Sequence, residues 1–293
     1  MVDFQSGGGF ASSITRKEYS YNGLTLNDTS TDTDNYYLLD FVDIDDVQVR
    51  NIEEEKALDD GIQDYDSYLG RRIYRVTGKI VASTQANLED MMQDLKDYFN
   101  PRLLQENNAS TNGYMPLTWS EDFGGTTYTM RLELKPMAIP AIQYDFEVGG
   151  LVAPFEIILK ARDPRKTDSS TISANLTITN SADTVTNAGT YMAWPTFTIT
   201  GPIYFSSLTI SNDTTGKYTS LSGAISLSST KELVVNMADR RIYTGTNVND
   251  YYQYVTSGST FPWDINSGSA QISITGHALS AGTVKYSLRS TWI

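Results

Sequence analysis

His277 is the only histidine in this 293-residue chain and cysteine is absent, so the side chains that most often carry protons or hold metals are nearly missing. A Ser-His-Asp triad would have to use Thr275-Gly276-His277-Ala278, and no Gly-x-Ser-x-Gly turn presents a serine to it. Disulfides, thiolate metal sites and a cysteine nucleophile are excluded. Carboxylates remain in quantity, at Asp40, Asp43, Asp45 and Asp46, then Glu53, Glu54, Glu55, Asp59, Asp60, Asp64 and Asp66. Two of them could act as the acid and base of a glycosidase, because that chemistry fixes a separation in space rather than along the chain. Neither Asp28–Tyr37 nor Asp59–Tyr68 has the ligand order of a calcium loop, and Gly7-Gly8-Gly9 and Gly149-Gly150 lack the strand-then-helix setting of a phosphate cradle. A solvated acidic loop is the simpler reading of the carboxylates. The second cluster is aromatic: Tyr251, Tyr252, Tyr254, Phe261 and Trp263. Tyr252, Tyr254 and Trp263 are the rings that could stack on a sugar. The alternation Phe261, Trp263, Ile265 would instead turn its residues together to one face, as core residues do.

The elements that must position these residues are mostly strands. Tyr74, Val76, Gly78 and Ile80 alternate with Arg75, Thr77 and Lys79; Tyr128, Met130, Leu132 and Leu134 alternate with Thr129, Arg131 and Glu133; Phe155, Ile157, Leu159 and Ala161 form a third such set. Period two places one set in a core and the other in water. Between the first two runs lies one helical pattern, Thr84–Phe99, with Leu88, Met91, Met92, Leu95 and Phe99 on one face. Ser83 or Thr84 can cap it, and Asn100-Pro101 stops it. The face bearing Leu88, Met91, Met92 and Leu95 is expected to pack on the sheet. After residue 167 short apolar runs alternate with Gly and Asn turns, the pattern of a β-sandwich.

Charge divides the chain at the same place. Residues 1–166 hold 28 acids and 16 bases, net −12, whereas residues 167–293 hold 7 and 6, net −1. Ser and Thr number 21 before the join and 42 after it, and the join itself, Ala161 to Ser170, is charged and bears Pro164. Two domains, 1–166 and 167–293, are therefore expected. With 35 acids against 22 bases the chain has no electrostatic footing for gripping nucleic acid. No apolar run approaches the ~18 residues of a membrane span. The start is polar and Gly-rich, so the chain reads as soluble, unprocessed and made in the cytosol.

One ordered series of residues resembles the distal tail proteins of siphophages, the long-tailed, non-contractile bacteriophages. It comprises Val49-Arg50-Asn51, Ala57 to Gly61, Leu69 to Arg72 leading into Gly78 to Ser83, the Leu88 to Pro101 helix, and Phe155 to Pro164. It continues in Asn187-Ala188-Gly189, Trp194-Pro195, Thr198 to Gly201, Ile210 to Gly216 and Lys285-Tyr286 to Trp292. The resemblance implies an all-β chain with one α-helix: an N-terminal β-sandwich or barrel-like ring-forming tail domain, then a C-terminal galectin-like β-sandwich. It implies a virion protein of the tail tip, a homo-hexameric ring joining the tail tube protein to the hub and the receptor-binding or baseplate proteins. Such a part is no enzyme, needs no cofactor or metal, does not insert in membranes, and meets DNA only as passing cargo. Some relatives carry inserted carbohydrate-binding modules, for which the 127 residues after 166 leave no room. A DNA channel through six acidic domains would be lined in part by Asp40–Asp66, the best candidates being Glu53, Glu54, Glu55, Asp59 and Asp60. Equally, Arg71, Arg72 and Arg75 could answer those acids. The alternative from another class is a monomeric glycan-binding module for host attachment using Tyr252, Tyr254 and Trp263.

Overall fold

Residues 17–27, 35–44, 49–50, 53–55, 62–64, 68–70, 72–143, 151–177, 182–245, 251–276 and 282–293 are described by the computed structural model. The chain is mostly β and falls into two compact units. The first is Met1–Asp46, Arg72–Ser120 and Glu133–Arg162; the second is Val47–Arg71, Glu121–Leu132 and Asp163–Ile293.

In chain order the first strands are β1 (Tyr19–Tyr21), β2 (Leu24–Leu26), β3 (Tyr36–Ile44), β4 (Val49–Arg50), β5 (Glu53–Glu55), β6 (Ile62–Asp64), β7 (Tyr68–Leu69) and β8 (Ile73–Val81). Helices α1 (Gln85–Tyr98) and α2 (Pro101–Asn107) follow, then β9 (Met115–Phe123), β10 (Thr126–Pro136), β11 (Ala141–Ile142) and β12 (Val152–Ala161). The first unit's sheet runs β2-β1-β9-β10-β12-β8-β3, with β11 beside β12. The three alternating runs are β8, β10 and β12, and each buries the expected residues: Tyr74, Val76 and Ile80; Met130, Leu132 and Leu134; Phe155, Ile157 and Leu159. Register in β8 and β12 holds over nine consecutive pairs, from Val152 opposite Val81 to Lys160 opposite Ile73. On the other face of β8, Arg75 pairs with Glu156 at 2.9 Å and Lys79 with Asp40 at 3.6 Å.

Helix α1 starts where Thr84 Oγ1 accepts from the Asn87 amide at 3.2 Å. It buries Leu88, Leu95 and, just past its end, Phe99, while Met91 and Met92 are half-buried. Phe99 stacks on Tyr21 with ring centres 4.7 Å apart. A second helix departs from the single helix that the sequence predicts. Asn100 and Pro101 stop α1 and start α2: Pro101 takes the first helical position, where its missing N–H is not needed, and the Asn100 side chain accepts from the Arg102 and Leu103 amides.

The second unit takes up β13 (Lys166–Asp168), β14 (Ile172–Leu176), β15 (Ala182–Asn187), β16 (Thr196–Thr200), β17 (Ile203–Asn212) and β18 (Lys217–Leu227). Strands β19 (Glu232–Asn236), β20 (Arg241–Thr244), β21 (Gly268–Gly276), β22 (Thr283–Leu288) and β23 (Thr291–Trp292) complete it. A five-stranded sheet β14-β22-β16-β19-β20 and a four-stranded sheet β15-β21-β17-β18, all antiparallel, share one apolar core. Short ladders pair β4 with β7 and β5 with β6. Residues 121–132, around the β9–β10 turn, belong here too, and β13 pairs with Met130 and Arg131 on one side and with β23 on the other. Phe123 and Tyr128 close over Trp292, with ring centres 5.5 and 5.1 Å away.

Candidate assembly surfaces and the buried ties behind them

Among the described residues no three His, Cys, Asp or Glu gather where they could hold a metal, and no helix is long and apolar enough to cross a membrane. His277 lies outside the described residues, as do Asp59 and Asp60. Glu53, Glu54 and Glu55 form β5, paired with Asp64, Gln63 and Ile62. Of the arginines that could answer them, Arg75 is engaged with Glu156 and Arg72 is buried, its guanidinium 5.7 Å from the Tyr74 ring. Arg71 lies outside the described residues.

The three rings considered for sugar stacking do not share a surface. Trp263 is fully buried; its indole N–H donates to Thr219 Oγ1 at 2.9 Å and its ring tilts against Phe197. Ile265 is likewise buried and Phe261 half-buried, so the alternation does point inward. Tyr254 is half-buried over Gly223, where a Cβ would stand 2.6 Å from its ring at a φ of +144°. Tyr252 alone is exposed, at 53%. Trp263 can present a ring face to a ligand only if the core opens.

What the sequence motifs carry is polar and buried. Asn187, with no exposed surface, donates through Nδ2 to the carbonyls of Tyr191, Ile265 and Asn266, while its Oδ1 accepts from the Gly189 and Thr291 amides. It thereby ties the end of β15 to the closing strand β23. Asn212, equally buried, accepts from the Thr215 amide and donates to the Asp264 carbonyl; beside it Lys217 meets the Asp264 carboxylate at 2.6 Å. Gly216, at φ +72°, completes that turn in the left-handed region that glycine enters freely. Both asparagines stand in the quoted series, Asn187 to Gly189 and Ile210 to Gly216, yet nothing local in the sequence marks either as buried.

Residues 188–289 match the family described as siphovirus-type tail component, C-terminal domain. The matched stretch lies within the second unit. Among solved structures, the SPP1 Dit (gp 19.1) protein, titled a paradigm of the hub adsorption apparatus in phages infecting Gram-positive hosts, aligns with a TM-score of 0.63. It is 14% identical, over 95% of this chain and 100% of that one, a likeness of fold across both units. Two structures of the phage P2 baseplate in its activated conformation, with Ca and with Sr, align at TM-scores of 0.43 and 0.41. They are 8% and 9% identical over 94% and 93% of this chain and 98% of each of theirs. No curated protein matches the sequence. The family match and the SPP1 Dit fold together support a distal tail protein of a siphophage, a structural part of the tail tip.

Proposed function

We propose that the chain is the ring-forming subunit of a siphophage tail tip, six copies closing head to tail through residues 1–166, of which 47–71 and 121–132 group with the second unit, while residues 167–293 stand as a docking sandwich. The ring would join the tail tube to the hub and receptor-binding proteins and leave an axial passage for DNA. The observation that carries this reading is the SPP1 Dit fold over nearly the whole chain, joined to the tail-component match over 188–289. Closed rings of this kind use heterologous contacts, and such work is done by shape rather than by a reacting group. On this reading the chain is no enzyme and needs no cofactor. The channel assignment of Glu53, Glu54, Glu55, Asp59 and Asp60 belongs to the same proposal and is supported by the net −12 of residues 1–166. DNA is a dense polyanion, and an acidic lining repels it over the ~8–10 Å that salt permits instead of trapping it.

Light scattering on the purified chain, with electron microscopy of the same fractions, tests the ring: particles of six subunits with a central hole are expected. A monomer at every concentration, with glycan binding lost on Tyr252→Ala, would overturn it in favour of the attachment module. For the channel, lysines at the five acidic positions in rings that still form are expected to slow DNA ejection, and unimpaired ejection refutes that role.

A further inference from the structure

The two sheets of the second unit have four edges, and three are protected in the ways natural sheets use against stray pairing. The edge of β18 is strapped by residues 255–260: the Thr256 amide donates to the Ser220 carbonyl at 2.9 Å and the Thr260 amide to the Tyr218 carbonyl at 2.8 Å. On the same edge Ser259 Oγ and Thr260 Oγ1 accept from the Ser220 and Tyr218 amides. The edge strand β20 carries Arg241, next to Arg240 in its turn, and β15 carries Asp183. Strand β14 has none of these devices. From Ser169 to Thr177 there is no charge and no proline, its five pairs with β22 run without a bulge, and no described residue pairs with its outer side. Ile172, Ser173, Ala174 and Asn175 are all exposed, so neither face of the strand is covered there.

We propose that β14 is a pairing edge for a second copy of this chain, the two strands running antiparallel about a two-fold axis at Ala174. Two features select a second copy. The strand Ile172-Ser173-Ala174-Asn175-Leu176 reads apolar, polar, small, polar, apolar from either end. Antiparallel pairing centred on Ala174 therefore sets Ile172 against the partner copy's Leu176 and Ser173 against its Asn175, like with like on each face, as cross-strand pairs require. The second feature is charge. Residues 167–293 carry a net charge of only −1, and an edge free of charge brings no like charges together when two copies meet. The contact is isologous, unlike the head-to-tail contacts of a ring, so it adds to ring closure without competing for the same surface. Five residue pairs make a small interface, so association through it depends on concentration.

The test is the mass of the full-length protein by sedimentation over a dilution series, for the natural chain and two double variants. Ser173→Lys/Asn175→Lys sets lysine against lysine across the axis and should reduce the mass to half or less. Ser173→Lys/Asn175→Asp sets lysine against aspartate twice and should restore it. Asn175 lies opposite Lys285 of β22, so each variant's melting temperature is read alongside to confirm that the sandwich stands. Independently of any variant, amide hydrogen exchange in residues 172–176 of the natural chain should slow as its concentration rises. Equal mass for the natural chain and the Lys/Lys variant overturns the proposal, and so does exchange that ignores concentration. Dissociation of both double variants overturns the register about Ala174. The ring is judged separately, by whether the dissociated Lys/Lys variant has the mass of six chains or of one.

Discussion

Asn187 offers the sharpest check on how the second unit is held closed. Replacing it with alanine removes five hydrogen bonds of 2.7–3.3 Å at a site with no water access. The Ile265 carbonyl keeps its bond from the Ala193 amide, so the groups put at risk are the amides of Gly189 and Thr291 and the carbonyls of Tyr191 and Asn266. At ~1–3 kcal/mol for each buried group left unpaired, and with partial relaxation, the expected loss is about 3 kcal/mol. That corresponds to a fall of about 6–12 °C in the melting temperature of a unit of this size. Asn187→Asp separates the tie from the packing. A protonated carboxyl can still accept from the two amides and donate to one carbonyl, whereas the carboxylate sets negative charge against three carbonyl oxygens. The folded state therefore raises the pKa of this aspartate above its unfolded value of ~3.9. A raised folded value means stability that is present below about pH 4 and is lost as pH rises, at up to ~1.4 kcal/mol per pH unit, until the folded value is passed. Urea unfolding of the three proteins between pH 4 and 8, followed by tryptophan fluorescence, measures both effects. An alanine variant within about 1 kcal/mol of the natural chain, or an aspartate variant with the natural chain's pH profile, refutes the reasoning.

Other outcomes follow from the first unit. Leu95→Ala, at a fully buried helix position, should destabilise that unit by ~2–5 kcal/mol; an unchanged melting curve would show that α1 does not contribute to the core. Gly78→Ala drives a Cβ into the Leu38 carbonyl and to 2.7 Å from Phe155 Cζ, and the crowding should cost ~1–3 kcal/mol in urea unfolding. Burial pushes the Tyr74 hydroxyl up to about 12 and also raises Tyr21 and Tyr37. Because these folded values lie above the unfolded ~10, the stability they hold is complete below pH 10 and drains away as pH rises above it, the share held by Tyr74 being lost by about pH 12. Tyr74→Phe should flatten part of that alkaline loss, and an equally steep loss in the variant would contradict the assignment.

Period-two alternation named β8, β10 and β12 and their buried residues, and 3.6-residue spacing named α1, because each signal lies within one element and burial selects it directly. Helix α2 left no such trace: seven residues with Leu103 and Leu104 adjacent show no periodicity, and Pro101 reads as a stop unless its place at a first helical turn is seen. The inward turn of Trp263 was legible from its alternation with Phe261 and Ile265, but its anchor, Thr219, is 44 residues away. Asn187 and Asn212 look like turn residues, which is what asparagine between strands commonly is. Their burial depends on partners up to 104 and 52 residues distant, which only the stacking of two sheets brings near. Strand β14 shows the same limit most plainly. Its lack of charge is written in the sequence, yet the same five residues in the middle of a sheet would mean nothing; sheet order put them at an edge, and an edge is where unpaired backbone can accept another strand.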